Sequence, residues 1–460
     1  MSLLVWNRPR RHFVGSWLIL AVVGCVVGTL SALASPYIVI GLIGAALLVW
    51  ISLRRAWLVI APLLAATPVL AHLHHVSLAP WYIAVFGASL TVLFVRARTP
   101  RQRVPGAGKW LLAFGGWILV SNLWSQFPRF SIPATILALG YIAMAFYPMT
   151  SKRVDAMYLV LLATAGLEAA IGLIQVVMRH HGGFLVTTPS ARVMLSLYGR
   201  PSGTLTEPDA FGDYLGLAFV VGIGYEKRLR NLVGVGGAWL YLAVVALCVL
   251  LTGSRLPIGG VVLTLLVATF LPAFRKRIAI GRLWFGFGLA TAVLVLTVHR
   301  VASRLAVFFS LATTVGSANS GVYRLETMAF MFERLRSIWS WIVGLGFGTL
   351  KGVTEPLRNI PGFLGTLYGW GSYGPSLVVN ITFDVGIIGL VLWVVSQVTI
   401  LRRVDLEIPQ ALPAWLGLVF ILGVSMGGDL SATVYPWLCW AVLLGLQSAR
   451  SRAVGVRKSP

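Results

Sequence analysis

The sequence predicts an all-α polytopic membrane protein, with about 12–14 transmembrane helices and a long extracytoplasmic loop that contains amphipathic helices. Its 460 residues are 58% hydrophobic and only 11% charged, and the mean hydropathy is +0.87. Soluble domains carry about a quarter charged residues. Apolar runs of roughly twenty residues recur along the chain, which is the length that an α-helix needs to cross a bilayer. Together these observations exclude an ordinary soluble protein.

The apolar runs divide the chain into predicted spans. The first, at about residues 13–33, follows a basic N-terminus and is too long for the apolar region of a signal peptide, so we interpret it as a retained helix. The later spans are predicted at about 36–53, 56–71, 78–95, 109–124, 132–150, 154–178, 210–225, 232–251, 256–273, 281–299, 384–401, 411–427 and 432–449.

Charge and glycine content group these spans into four regions. Residues 1–153 hold the N-terminal transmembrane helices, and residues 154–299 hold central helices with an outer loop at 179–210. Residues 300–383 are rich in charge, glycine and proline, and crossing a bilayer would strip water from those groups, so they form the predicted extracytoplasmic loop. Residues 384–460 hold the C-terminal helices and a basic cytoplasmic tail.

The net charge of +24 reflects basic residues that punctuate the apolar runs. With the N-terminus inside, most of the 37 Lys and Arg fall in predicted cytoplasmic loops, as the positive-inside rule requires. This distribution predicts contact with anionic membrane lipids and argues against nucleic-acid binding. Arginines retained on the outer side run against the topological bias, so they are candidates for function.

Cysteine and histidine give no sign of a metal or disulfide framework. Cys25, Cys248 and Cys439 all lie inside apolar runs, where a thiol behaves as a small buried hydrophobe. His180 and His181 are adjacent, and adjacent side chains rarely converge on one ion; nearby Cys or carboxylate ligands that would complete a tetrahedral set are also missing. We therefore predict neither a metal site nor a cofactor.

The outer segments contain two further patterns. Apolar residues recur at three- and four-residue spacing in the long loop and predict an amphipathic helix on the membrane surface. These residues are Val322, Leu325, Met328, Ala329, Phe332, Leu335 and Trp339. Residues 344–348 and 352–375 are predicted to be irregular. Within the span at 154–178, Glu168 and Gln175 share one face, which indicates either a functional carboxylate or a hydrogen bond between helices.

Five motifs in order resemble the O-antigen ligase and O-antigen/exopolysaccharide polymerase family. They are RPSGTLTEPDAFGDYL from Arg200, LTGSR ending at Arg255, YRLETMAFMF around Arg324, GLGFG at 344–348 and VVNITFDVGIIGL around Asp384. The resemblance covers roughly residues 154–401. It implies a metal-independent membrane glycosyltransferase of the bacterial cytoplasmic (inner) membrane, multi-pass, with its active site facing the periplasm and a polyprenyl-diphosphate-linked glycan as donor.

The resemblance also implies that Arg200, Arg255 and Arg324 hold the diphosphate. Guanidinium groups suit that role because they pair bidentately with phosphate oxygens and neutralise the charge of a departing diphosphate. The family's usual histidine base would fall near Pro375, and the chain has no histidine after His299. A carboxylate is one replacement, since a general base needs only a positioned acceptor. The candidates are Glu207, Asp209, Glu326 and Asp384. Alternatively, departure of the leaving group dominates the barrier.

Three functions follow as expectations. The first is a polymerase that joins lipid-linked repeat units of an exported polysaccharide to a glycan acceptor, with chain-length regulators or export proteins as further partners. The second is a ligase that transfers the glycan to lipid A core or protein; the missing histidine favours the polymerase over it. The third, from another class, is a lipid-linked oligosaccharide flippase or other transporter. Transporters place charge at mid-membrane between internal repeats, and the spans here hold almost no charge.

Overall fold

The computed structural model describes residues 106–146, 151–179, 185–186, 189–205, 207–275, 288, 320–354, 376–426 and 435–456. Every regular element among them is a helix. The fold is that of an all-α polytopic membrane protein. Among the described helices, four are long and apolar enough to span a bilayer: Pro128–Ala145, Ser151–Val177, Glu226–Leu251 and Leu377–Arg402. The spans predicted before residue 100 and at 281–299 lie outside the described residues.

The helices up to residue 275 follow the predicted spans closely. They are α1 Gly106–Ser121, α2 Pro128–Ala145, α3 Ser151–Val177, α4 Pro189–Tyr198, α5 Pro208–Gly224, α6 Glu226–Leu251, α7 Arg255–Thr269 and α8 Pro272–Arg275. A short 3-10 helix, Asn122–Trp124, follows α1. Helix α5 begins at Pro208, whose fixed φ suits a first helical turn. Helix α4 was not predicted, because its ten residues lie in a segment that we expected to be a loop.

The long predicted loop contains three helices: α9 Ser320–Arg334, α10 Ile338–Val343 and α11 Thr349–Thr354. The predicted amphipathic helix is confirmed as far as Arg334, where α9 ends. Ser337 then caps the next helix, α10. The predicted apolar stripe is only partly buried. Of the predicted stripe, Leu335 is buried, whereas Phe332 is 38% and Trp339 is 68% exposed; the buried Met331 was not part of the predicted stripe.

The last three helices are α12 Leu377–Arg402, α13 Ala411–Ser425 and α14 Tyr435–Val456. Helix α12 starts before the span predicted from residue 384, and Gly386 interrupts it with a φ of 71°. The charge of Asp384 made the preceding residues look like a loop. Its carboxylate instead accepts backbone N–H groups within the protein, which permits a charged residue inside the helix.

Most of the described helices pack around one main core, and a smaller second cluster joins Met331, Leu335, Leu350 and Phe383. Charged loops meet at one end of the main core. There the Tyr225 hydroxyl donates to Asp155 (2.9 Å) and the Tyr158 hydroxyl donates to the Gln410 carbonyl (2.7 Å). The loops that meet here carry basic residues that the sequence placed inside: Lys152, Arg153, Lys227, Arg228, Arg230, Arg402 and Arg403. We call this the basic end. Two segments that the sequence predicted to lie outside, around residues 203 and 347, lie at the opposite end, beside the C-terminal parts of α3 and α1.

Candidate functional site

The centre of the candidate site is the loop between α4 and α5, of which the structure describes residues 199–205 and 207. This loop packs against the C-terminal half of α3. Gln175 of α3 accepts hydrogen bonds from the backbone N–H groups of Ser202 (3.1 Å) and Gly203 (3.0 Å). Its side-chain amide donates to the Gly203 carbonyl (2.7 Å). One buried side chain therefore satisfies three backbone groups of irregular chain, as a structure within a bilayer requires.

Glu168 holds the next residue of the loop. Its carboxylate accepts the backbone N–H of Thr204 (2.8 Å) and the Thr204 hydroxyl (2.5 Å). Glu168 lies nine residues before Val177, the last residue of α3, and hence roughly 14 Å inward from the helix end. The sequence indicated either a functional carboxylate or a hydrogen bond between two helices. The Glu168 carboxylate does form hydrogen bonds, but its partner is a loop residue, Thr204, and not another helix.

The close fit of this loop depends on Gly203, which has a φ of 59°. A Cβ atom at this position would overlap the Glu168 carboxylate and approach the Phe211 ring to 2.7 Å. Phe211 in turn lies against Gly172 of α3. The loop therefore fits between α3 and α5 only because glycine stands at its tightest point.

Arg200 links the loop to the start of α5 and to the LTGSR motif. Its Nη2 atom forms an ion pair with Asp209 Oδ1 (2.6 Å), and its Nε atom donates to the Thr252 carbonyl at the end of α6. The Arg200 side chain is 20% exposed and that of Asp209 is 46% exposed. An ion pair so open to solvent contributes only about 0–1 kcal/mol, so an incoming anion can replace Asp209 at little cost.

Glu207 stands beside this ion pair, directly before α5 and outside the membrane-spanning helices. Burial and the negative charge of Asp209 raise the pKa of Glu207 to about 7, and the positive charge of Arg200 opposes that rise. A carboxyl group with such a pKa exchanges protons near neutral pH, which suits general-base chemistry.

Arg255 begins α7, three residues after Thr252, in the turn that Gly253 allows with a φ of 59°. The starts of α5 and α7 pack closely, because Pro257 fills the space where Gly212 lacks a side chain. The Arg255 side chain is exposed on this rim. Two motifs that are separate in the sequence, at 200–215 and 251–255, thus meet at one place.

Sequence reasoning missed Arg179 and Thr252. The Arg179 guanidinium lies next to Gly199, so a further cation stands at the start of the loop. Its position in an outer segment was a usable signal, since retained outer arginines are candidates for function. Thr252 accepts the Arg200 hydrogen bond through its backbone carbonyl, and a backbone contact of this kind cannot be predicted from side-chain patterns.

Asp384 belongs to a different cluster, around the GLGFG segment. Its carboxylate accepts the backbone N–H groups of Gly348 (2.9 Å) and Leu350 (3.4 Å), and its own carbonyl accepts the N–H of Gly346 (2.8 Å). It is 8% exposed. These contacts give Asp384 a structural role in holding the segment against α12, while its use as a base stays a prediction.

Arg324 and Glu326 lie on α9, and their side chains are outside the described part of the structure. The adjacent histidines, His180 and His181, are also outside it. Within the described ranges, no group of three or more His, Cys, Asp or Glu is placed to hold a metal ion. Of the seven predicted site residues, the structure therefore brings Arg200, Glu207, Asp209 and the turn with Arg255 together.

Comparison of the chain with protein-family models finds no match. A search of curated proteins likewise finds none.

Proposed function

We propose that this protein is a polymerase that joins polyprenyl-diphosphate-linked oligosaccharide repeat units of an exported polysaccharide, at the periplasmic face of the bacterial cytoplasmic membrane. The observation that carries the proposal is the position of Glu207, a carboxyl group whose pKa is raised to about 7, beside the ion pair of Arg200 with Asp209. A cation for a phosphate and a base for a hydroxyl are the two groups that this transfer needs. The resemblance of the five motifs to the polymerase and ligase family supports the same chemistry.

The reaction is a single displacement at the reducing-end carbon of the growing chain. A hydroxyl oxygen of the incoming unit forms the new C–O bond, and the bond from that carbon to the diphosphate oxygen breaks, with inversion. Glu207 takes the hydroxyl proton. Arg200 and Arg255, with Arg324 as a third group, hold the polyprenyl diphosphate and neutralise its charge as it leaves.

Because the ion pair of Arg200 with Asp209 is partly exposed, the donor diphosphate can reach the Arg200 guanidinium. In the structure Arg200 uses Nε and Nη2, while its Nη1 has no hydrogen-bond partner among the described residues. A diphosphate oxygen therefore binds at Nη1 first, and replaces Asp209 at Nη2 for a bidentate contact. Replacing a partner worth about 0–1 kcal/mol with a charged phosphate is favourable.

The test is elongation by purified protein in nanodiscs, with polyprenyl-diphosphate repeat units as the only substrate and products resolved by size. We expect a ladder from the wild type that Arg200→Ala and Glu207→Gln abolish or reduce at least about a hundredfold. Arg192→Ala is the matched control, because Arg192 is an exposed arginine on α4 in the same outer segment. Its ladder should match the wild type. EDTA in a parallel reaction tests metal independence.

Failure separates the alternatives. If folded wild-type protein makes no ladder but modifies an added lipid A core or protein acceptor, the protein is a ligase with the same donor chemistry. If it modifies neither and instead moves labelled lipid-linked oligosaccharide between the leaflets of a vesicle, it is a flippase. A ladder that Arg200→Ala and Glu207→Gln leave unchanged would place the active site elsewhere in the protein.

A further inference from the structure

Glu168 and Gln175 lie seven residues apart on the buried face of α3, and both form hydrogen bonds with loop residues, which are Ser202, Gly203 and Thr204. No ion pair with Lys or Arg involves Glu168 in the described ranges. A carboxylate at this depth is costly, so a partner must explain it. The loop backbone is that partner.

Thr204 donates two hydrogen bonds to Glu168, one from its N–H and one from its hydroxyl, and the carboxylate offers one oxygen to each. A glutamine has one oxygen for the N–H and would have to donate its NH₂ group to the Thr204 hydroxyl. Both contacts would then lose the added strength that a charged acceptor gives. The identity of this side chain therefore controls how the loop is held, beyond filling space.

The residues so held lie between the two functional groups of the loop. Ser202 comes two residues after Arg200, and Thr204 comes three residues before Glu207. A shift of the held segment would move the guanidinium and the carboxyl relative to each other. Displacement of a reacting group by about 1 Å can cost on the order of a hundredfold in rate.

We propose that Glu168, assisted by Gln175, is a positioning residue that fixes Arg200 and Glu207 at the separation needed for glycosyl transfer. This inference rests on the proposed function, because it assigns those two groups their roles. Glu168 touches neither reacting group in the structure. It acts through the backbone of residues 202–204.

The kinetic test is a double-mutant cycle between Glu168→Gln and Thr204→Val, measured as kcat and KM for the lipid-linked donor. Each single variant should lower kcat/KM roughly ten- to a hundredfold, and the double variant should be no worse than Glu168→Gln alone, because both remove the same contact. Thr204→Ser, which keeps the hydroxyl, should restore wild-type kinetics. Additive losses in the double variant would overturn the proposal.

A matched control separates positioning from general weakening of the buried core. Thr264→Val removes a buried hydroxyl that donates only to the Gly260 carbonyl of its own helix (2.7 Å). It should leave kcat/KM and the pH profile unchanged. Glu168→Gln should also move the acid limb of the pH profile, because the surroundings of Glu207 change. An unmoved limb together with an unmoved kcat/KM would count against positioning.

Loop position can also be measured without any activity. Ser202 is 1% exposed, so a Ser202→Cys thiol, in protein whose native cysteines are replaced by alanine, should resist a membrane-impermeant maleimide. Adding Glu168→Gln should increase its labelling at least about tenfold. Ser196→Cys on exposed α4 serves as the fully labelled reference.

The labelling distinguishes failure of the proposed function from failure of the positioning role of Glu168. Labelling that rises in Glu168→Gln, with a wild type that makes no ladder, means that the loop is held as described but the proposed function is wrong, and the catalytic role of Glu168 falls with it. Labelling and elongation that both stay at wild-type values in Glu168→Gln overturn the positioning role itself. If Glu168→Gln fails to fold, Thr204→Val and Thr204→Ser carry both measurements, since they change only the loop side of the contact.

Discussion

The pH dependence of elongation should report the ionisation of Glu207. Burial and the charge of Asp209 raise the pKa of Glu207 to about 7, and Arg200 opposes this rise. A general base works only when deprotonated, so the rate should climb with pH and level off above about 7. With this pKa the carboxyl is about half ionised at pH 7, roughly one tenth at pH 6 and roughly one hundredth at pH 5.

The variant Asp209→Asn gives the sign of the effect. It removes the neighbouring negative charge that helps to raise the pKa of Glu207, so the acid limb should move to lower pH. The stability linked to Glu207 has the opposite pH dependence to its activity. Because the pKa of Glu207 in the folded protein lies above its ordinary value of 4.5, this contribution is full below about pH 4.5 and is lost as the pH rises through 7.

The assay is the initial elongation rate between pH 5 and 9, at saturating and at low donor concentrations. Glu207→Gln should remove the acid limb together with most of the rate. The control is Glu407→Gln, which changes an exposed carboxyl group at the basic end and should leave the acid limb and the rate unchanged. The donor diphosphate also titrates, and a limb that belongs to the donor would persist in Glu207→Gln. Such persistence, or an acid limb in Asp209→Asn that moves to higher pH, would refute the role of Glu207.

Three further predictions test the fold and the loops. Asp384→Ala should lower the free energy of unfolding by about 1–3 kcal/mol for each backbone N–H left without an acceptor, measured by thermal or denaturant unfolding in detergent. Gly203→Ala should cost at least about 1–2 kcal/mol through its left-handed backbone, and its added methyl should clash; Gly259→Ala, with open space around its Cβ, should cost far less, and equal losses would contradict the described loop. In sealed right-side-out vesicles, Leu197→Cys should react with an impermeant thiol reagent while Glu407→Cys should not, and the reverse pattern would invert the predicted topology.

Much of the helical framework could be predicted from the sequence because apolar length determines a span. Helix α3, predicted at 154–178, runs from Ser151 to Val177, and α13, predicted at 411–427, runs from Ala411 to Ser425. Prediction failed where hydropathy carries no information. Helix α4 is too short to be a span, and α12 begins inside a segment that charge and glycine marked as loop. Tertiary contacts decide such segments.

The candidate site could be predicted only as a set of separate motifs. The family resemblance singled out Arg200 and Arg255 as diphosphate ligands, and the missing family histidine made Glu207 and Asp209 candidate bases. The contact of Arg200 with the Thr252 carbonyl joins residues 52 positions apart, and it depends on how α5, α6 and α7 pack. No spacing rule in a single sequence encodes such a contact, and the raised pKa of Glu207 follows from the same packing.

Two loops at the end opposite the basic end are held in the same way. Glu168 and Gln175 satisfy the backbone of residues 202–204, and Asp384 with Ser121 satisfies that of residues 347–350. Glycines with positive φ shape both loops, at 203 in the first and at 344, 346 and 348 in the second. Irregular backbone within a bilayer protein needs internal partners, and polar side chains on the adjacent helices supply them. A carboxylate within a predicted span therefore indicates a nearby loop that it holds more strongly than it indicates catalysis. For this reason Glu207, which stands next to Arg200, is a better candidate for the general base than Asp384.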